Sequence, residues 1–248
     1  MYKILEKTQF SEKVFKFRIE APEMAKHAHA GQFLMVRANE TGERVPFTFA
    51  DWNPEEGWVE FIFMVIGKTT EMLSTYEAGD AIQDVTGPLG QPTEMGEGNW
   101  AVIGGGVGLA IAFPVARQLK ATGHEVHAIM GARTKDLLLL EDQFRSVLDD
   151  EHIHITTDDG SYGEKGVVTA PLERLLQEKK VDHVFCVGPV PMMKFSALTA
   201  EKYDTPIIAS LNPIMVDGTG MCGCCRVEVG GETKFACVDG PDFDATKV

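Results

Sequence analysis

The stretch Trp100-Ala-Val-Ile-Gly104-Gly-Gly-Val-Gly108-Leu-Ala-Ile-Ala112 decides how the rest of the chain is read. A short apolar run reads as a buried strand, and the glycines after it open an apolar helix. A glycine-rich turn between strand and helix lets backbone N–H groups and the helix N-terminus meet a pyrophosphate. Gly104, Gly105, Gly106 and Gly108 are therefore candidate nucleotide contacts. The loop departs from strict G-x-G-x-x-G because position 109 is Leu, and a plain tight strand–helix turn stays open as the alternative. Pro114 is tolerated near the first turn of that helix and would kink it further in.

Toward the C-terminus the same alternation repeats. Strand patterns at Glu125–Met130, His152–Thr156 and Val181–Val187 are separated by helical patterns over 136–148 and 170–179, and another helix follows over 191–202. Strands alternating with helices predict βαβ units and a doubly wound parallel sheet. In such sheets ligands sit beyond the carboxyl ends of the strands. Arg133, the pair Asp158 and Asp159, and the pair Gly188 and Pro189 all follow strand patterns and join the candidate nucleotide site. Arg133 suits a 2′-phosphate and equally suits a solvated surface position.

Toward the N-terminus the period changes to two. Val14–Ile19, Gly31–Val36, Val45–Phe49 and Trp58–Ile66 read as strands separated by turn-rich runs, which predicts a small antiparallel barrel. Thr69–Tyr76 reads as one short helix. Within this part, Arg44-Val-Pro46-Phe47-Thr48 and Gly67-Lys-Thr69-Thr70 are candidates for phosphate contact. An arginine neutralises pyrophosphate, and a Gly-x-Thr-Thr turn offers backbone and hydroxyl donors. An edge arginine and a threonine at a helix start are also ordinary structural features. The expected division is a barrel over 1–97, an α/β domain over 98–206 and a small module over 207–248.

That last module holds Asp217-Gly-Thr-Gly-Met-Cys222-Gly-Cys224-Cys225, then Cys237. Interleaved glycines allow a tight wrap, and thiolates are the soft ligands of zinc and iron–sulfur clusters. Cys222, Cys225 and Cys237 supply three thiolates. Cys224 adjoins Cys225, and neighbouring side chains in an extended backbone point to opposite sides. Asp217 is a further candidate, or a turn-forming residue. Spacing leaves zinc and cluster both open.

A formal net charge of -14 argues against nucleic acid or an anionic membrane surface as partner. No apolar run reaches membrane-spanning length, and the N-terminal stretch lacks a signal-type apolar region. The expectation is a cytoplasmic protein, in which clustered cysteines favour metal over disulfides.

Taken together, the Arg44–Thr48 and Gly67–Thr70 segments, the Gly104–Gly108 loop and the C-terminal cysteines resemble the ferredoxin–NADP reductase superfamily. Within it, Ser210–Gly223 and Lys234–Pro241 resemble the small subunits of NADH-dependent reduced ferredoxin:NADP oxidoreductases, the sulfide dehydrogenase-like group. Electron-transfer subunits of class 1B dihydroorotate dehydrogenase are similar but carry cysteine where Asp217 stands. The resemblance implies FAD held by Arg44, Pro46, Phe47, Thr48, Gly67, Thr69 and Thr70, with Thr48 catalytic beside the isoalloxazine. It implies NAD(H) framed by Gly104–Gly108, Asp158, Asp159 and Gly188, and a [2Fe-2S] cluster on Asp217, Cys222, Cys225 and Cys237. The implied partner is a larger subunit with a second flavin and [4Fe-4S] clusters, serving NADP(H) and ferredoxin. Cys224 stands where that group has a small residue, and Cys186 stands one place before the usual nicotinamide-side cysteine. Such relatives extend past the equivalent of Pro241, so part of a subunit interface is expected outside this sequence. The rival from another class is a zinc-stabilised nucleotide-binding regulator without flavin.

Overall fold

The computed structural model describes residues 1–248 as two compact units. The first comprises residues 1–93, 212–227 and 233–241; the second comprises 94–211, 228–232 and 242–248.

In the first unit, β1 (Tyr2–Ser11), β2 (Val14–Glu20), a single turn α1 (Pro22–Ala25), β3 (Phe33–Arg37), β4 (Arg44–Asn53), β5 (Trp58–Met64), α2 (Lys68–Ser74), β6 (Ala81–Ile82) and β7 (Asp84–Leu89) follow in order. They make one antiparallel half-barrel sheet, ordered β6-β1-β2-β5-β4-β3-β7. The alternation read from Val14–Ile19 has a direct physical result, because Phe15, Phe17 and Ile19 are buried on one face. They meet Phe49, Phe61 and Phe63 in an aromatic core, with Phe17 edge-on to Phe63 at 5.1 Å and Phe15 stacked on it at 5.7 Å.

In the second unit, β8 (Trp100–Gly105) leads into α3 (Leu109–Ala121), followed by β9 (Val126–Ala132), α4 (Glu141–Val147), β10 (Ile153–Thr157), β11 (Glu164–Lys165), α5 (Thr169–Gln177), β12 (His183–Val187), α6 (Val190–Glu201) and β13 (Ile207–Ser210). A ribbon of β14 (Arg226–Val229) and β15 (Glu232–Phe235) precedes β16 (Asp242–Asp244). The second sheet runs β11-β10-β9-β8-β12-β13-β16, parallel except for β16. Every residue of β8 is buried, as a strand covered on both faces requires. Pro114 lies in the interior of α3.

One element differs from expectation. The helix expected over 136–148 is interrupted: a single turn at Lys135–Leu137 precedes α4, and Leu140 takes φ +61° at its start. Leu139 and Leu140 are buried there, so burying the leucine run takes precedence over continuing the helix. No helix is long and apolar enough to cross a membrane.

Candidate functional site

Residues 212–227 and 233–241 belong to the first unit, and there the cysteine loop takes shape. Gly218 and Gly220 have φ of +78° and +87°, backbone geometry that tightens the turn between Asp217 and Cys222. Cys225 and Cys237 are buried with their Sγ atoms 3.2 Å apart. Two thiolates on one tetrahedral metal lie roughly 3.8 Å apart, so a small opening of this pair admits an ion. Cys222 is exposed, and all five cysteines are free thiols.

Asp217 lies near enough to the Cys237 thiol to act on it through its charge. One carboxylate oxygen accepts from the Thr219 backbone N–H and from its hydroxyl at 3.0 Å, and the other accepts from Cys222 N–H at 2.6 Å. The Thr219 backbone hydrogen bond, with Cys222 next, holds the carboxyl down to about 2. An ionised carboxylate is a competent ligand, and the oxygen that accepts from Cys222 N–H alone retains a free lone pair. The bond to Thr219 is the Asx turn that Asp-Gly-Thr offers as the turn-forming reading of Asp217. Cys237 N–H approaches the Cys225 sulfur at 3.4 Å, and Cys224 N–H approaches the Cys222 sulfur at 3.5 Å; such bonds tune cluster potentials. Burial pushes the Cys237 thiol pKa up, with the Cys225 contact second, so holding it as thiolate calls for a metal's charge. Cys224 is exposed. Donor chemistry and cradle fit a thiolate-bound cluster.

The other candidates of the first unit lie on β4 and around α2. Arg44 is exposed and pairs with Asp84 at 3.0 Å, a contact between solvated side chains that costs little to exchange for phosphate. Pro46 and Thr48 are half-buried and face Met35 and Phe33 of β3 in the ladder. Phe47 stacks on Phe61 at 5.0 Å, so part of its ring belongs to the core. At α2 the Thr70 hydroxyl accepts from the N–H groups of Ile66 and Gly67 and donates to the Gly67 carbonyl, closing the turn internally. Thr69 is buried beside it, and a Cβ built on Gly67 would meet only open space. An open glycine backbone at the start of a helix fits an approaching diphosphate.

In the second unit the predicted nucleotide residues gather at the carboxyl ends of neighbouring strands. A Cβ on Gly108 would sit 2.5 Å from the Val187 carbonyl oxygen, so only glycine lets α3 start this close to β12. Gly106 has φ +56° and open space over it, the room a phosphate needs. Gly105 and Gly188 pack backbone to backbone with Met192 close to both, and Pro189 precedes α6. Arg133, Asp158 and Asp159 are exposed after β9 and β10, and the N–H groups of the two aspartates donate to the carbonyls of Ala132 and Arg133. The Asp159 carboxyl is held low by its hydrogen bonds from Ser161. Cys186 is wholly buried in β12, and desolvation with nearby Asp242 pushes its thiol to about 12. Such a thiol is inert, so Cys186 is a packing residue.

A flavin-type half-barrel, a doubly wound nucleotide sheet and a thiol-lined C-terminal loop define an oxidoreductase of the ferredoxin-reductase class. Comparison with known proteins supports each part. Residues 1–93 match an oxidoreductase FAD-binding domain, residues 102–197 an oxidoreductase NAD-binding domain, and residues 212–248 the iron–sulfur cluster binding domain of dihydroorotate dehydrogenase B. The chain is 50% identical over 246 residues to the dihydroorotate dehydrogenase B (NAD(+)) electron transfer subunit homolog of Thermotoga maritima, covering 99% of this chain and 86% of that one. It is 30% identical to the electron transfer subunit of that enzyme from Streptococcus mutans, covering 99% and 96%. A chain from the structure of an NADH-dependent reduced ferredoxin-NADP oxidoreductase, solved in a study of flavin-based electron bifurcation, superposes with a TM-score of 0.93. It is 48% identical, with 100% of this chain and 89% of that chain covered. This chain belongs to the family of dihydroorotate dehydrogenase B electron-transfer subunits and their homologues. It is a flavoprotein oxidoreductase with FAD-, NAD- and iron–sulfur-binding domains.

Proposed function

We propose that this chain is the small, electron-transferring subunit of an electron-bifurcating NADH-dependent ferredoxin:NADP oxidoreductase. The observation that carries the reading is the Asp217 carboxylate, which accepts from the Cys222 N–H and lies near enough to the paired thiols of Cys225 and Cys237 to raise the Cys237 pKa through its charge. A carboxylate at this position is what the sequence resemblance associates with the ferredoxin:NADP oxidoreductase group, whereas the dihydroorotate dehydrogenase group has a fourth thiol there. When bound, FAD exchanges hydride with NADH and a [2Fe-2S] cluster carries the electrons onward one at a time.

The chain's own residues bind and orient. On this reading Arg44, Gly67, Thr69 and Thr70 hold the FAD pyrophosphate, and Pro46, Phe47 and Thr48 line the flavin, with Thr48 nearest the reacting ring. Gly104, Gly105, Gly106, Gly108, Arg133, Asp158, Asp159, Gly188 and Pro189 frame NAD(H). Asp217 and Cys222 on one side, and Cys225 and Cys237 on the other, hold the cluster. The working division is a flavin domain over 1–97, a nucleotide domain over 98–206 and a cluster module over 207–248.

The partner in this reading is a larger cytoplasmic subunit with its own flavin and [4Fe-4S] clusters, through which NADP(H) and ferredoxin react. Its support is the surface of the cysteine loop, where Ile214, Val216, Met221 and Val238 are all exposed. Exposed apolar side chains concentrated in one loop region are what a protein interface covers. The test is co-purification: expression with the large subunit of such a complex should give a stable heterodimer that couples NADH to NADP and ferredoxin. The competing outcome is a complex with the catalytic subunit of a dihydroorotate dehydrogenase that oxidises dihydroorotate.

A further inference from the structure

The second unit carries a cluster of titratable side chains that neither flavin, nucleotide nor iron–sulfur chemistry uses. Glu125 precedes β9, His127 lies within it, His152 precedes β10 and His154 lies within that strand. Alternate residues of a strand share a face, and the parallel pairing of β9 with β10 brings the two faces together. One ligand atom from each of Glu125, His127 and His152 lies within 4.8 Å of the others. The Glu125 carboxylate is 3.5 Å from His127 Nε2 and 3.7 Å from His152 Nε2. Nitrogen and oxygen ligands of tetrahedral zinc sit about 3.4 Å apart, so both distances are near what an ion requires.

Two further observations point to a ligand. His127 is only 5% exposed, and its buried Nε2 makes no regular hydrogen bond, with the Glu125 carboxylate standing off at 3.5 Å. A buried orphan nitrogen is costly unless something occupies its lone pair. On the ring's other side, His127 Nδ1 lies 3.3 Å from His154 Nε2. That is the arrangement metal-ligating histidines use, in which the distal N–H is held by an outer partner that fixes the tautomer.

We propose that Glu125, His127 and His152 form a binding site for a divalent borderline metal ion of the zinc type, with His154 as the outer residue that orients His127. Imidazole and carboxylate together suit Zn2+ better than Mg2+ or Ca2+, which select oxygen. Burial, then the charge of neighbouring His152, lowers the His127 pKa; burial and His127 bring His154 to about 4. Lys180 and Arg174 also face these rings and oppose a cation, while Glu151 stands 4.0 Å from His152 Nδ1 and favours one. The site is at the amino ends of β9 and β10, the end of the sheet opposite the predicted nucleotide residues. An ion there would clamp two neighbouring strands and leave the nucleotide end free.

The test is equilibrium dialysis of the flavin- and cluster-loaded protein against buffered Zn2+, with zinc, iron and flavin all quantified. The expected result is one zinc per chain at unchanged iron and flavin, with a rise in Tm. E125Q/H152Q should weaken binding by at least about 100-fold, and H154Q by about 10–100-fold. E125A changes an exposed side chain and serves if the double variant does not fold; it should weaken zinc by at least about tenfold. Three results would overturn the site: no uptake by wild type, uptake unaltered in E125A and E125Q/H152Q, or uptake matched by loss of iron, which places zinc at the cysteine loop.

Discussion

Cys225 and Cys237 stand twelve positions apart in the chain, yet their sulfur atoms meet at 3.2 Å in a buried contact. The pair is oriented without forming a disulfide, which is the state a metal site needs. In the proposed ligand set, the exposed Cys222 and the Asp217 carboxylate that accepts its N–H supply the other two positions. With a cluster bound, three thiols are tied to iron and Cys186 is sealed in β12. Alkylation of the native, cluster-loaded protein at pH 8 should therefore modify one thiol, Cys224. Peptide mapping that finds Cys222 labelled and Cys224 protected would exchange their roles.

Asp217 sets the character of the cluster on this account. Replacing it with cysteine should keep iron bound and shift the midpoint potential and the EPR signal, because ligand type and charge govern both. An unchanged potential in D217C would remove Asp217 from the ligand set and leave it the Asx-turn residue seen with Thr219.

In the nucleotide loop, Gly108→Ala forces a methyl group against the Val187 carbonyl, a backbone atom that cannot turn aside. The expected cost is about 1–3 kcal/mol in stability. NADH-driven flavin reduction should fall at least about tenfold while FAD content is retained. Stopped-flow reduction beside a flavin quantitation separates the two effects.

Stability of the flavin unit rests partly on an ion cluster under the sheet. Glu60 is 5% exposed and binds Lys16 at 3.1 Å and Arg18 at 2.7 Å, while Arg18 lies over the Trp58 ring at 4.1 Å. Glu60→Ala strands two cations, and Glu6, at 3.3 Å from Arg18, compensates only in part. The expected loss is roughly 2–3 kcal/mol, read as a lower urea midpoint, with Glu60→Gln intermediate.

The sequence spoke clearly where local chemistry decides. Period-two runs became the aromatic face around Phe17 and Phe61, and Gly104–Gly108 runs from the last residues of β8 through the turn into α3. Tertiary relations were silent. Nothing near Arg44 announces Asp84, forty positions on, or places Phe47 flat against Phe61. The break at Leu140 reflects burial demands that helix periodicity does not record. Glu125-Val-His127 and His152-Ile-His154 are visible as alternating strands, but their meeting depends on the register that sets Ile153 beside Ala128.

The central claim is that this chain couples a flavin to an iron–sulfur cluster. Its most direct test is the absorbance and EPR spectrum of anaerobically purified protein, with iron and flavin measured on the same sample. The account predicts about two irons and one FAD per chain, with the flavin bleached by NADH and the cluster EPR-active on reduction. A colourless protein lacking both iron and flavin, with zinc held by Cys222, Cys225 and Cys237, would contradict it.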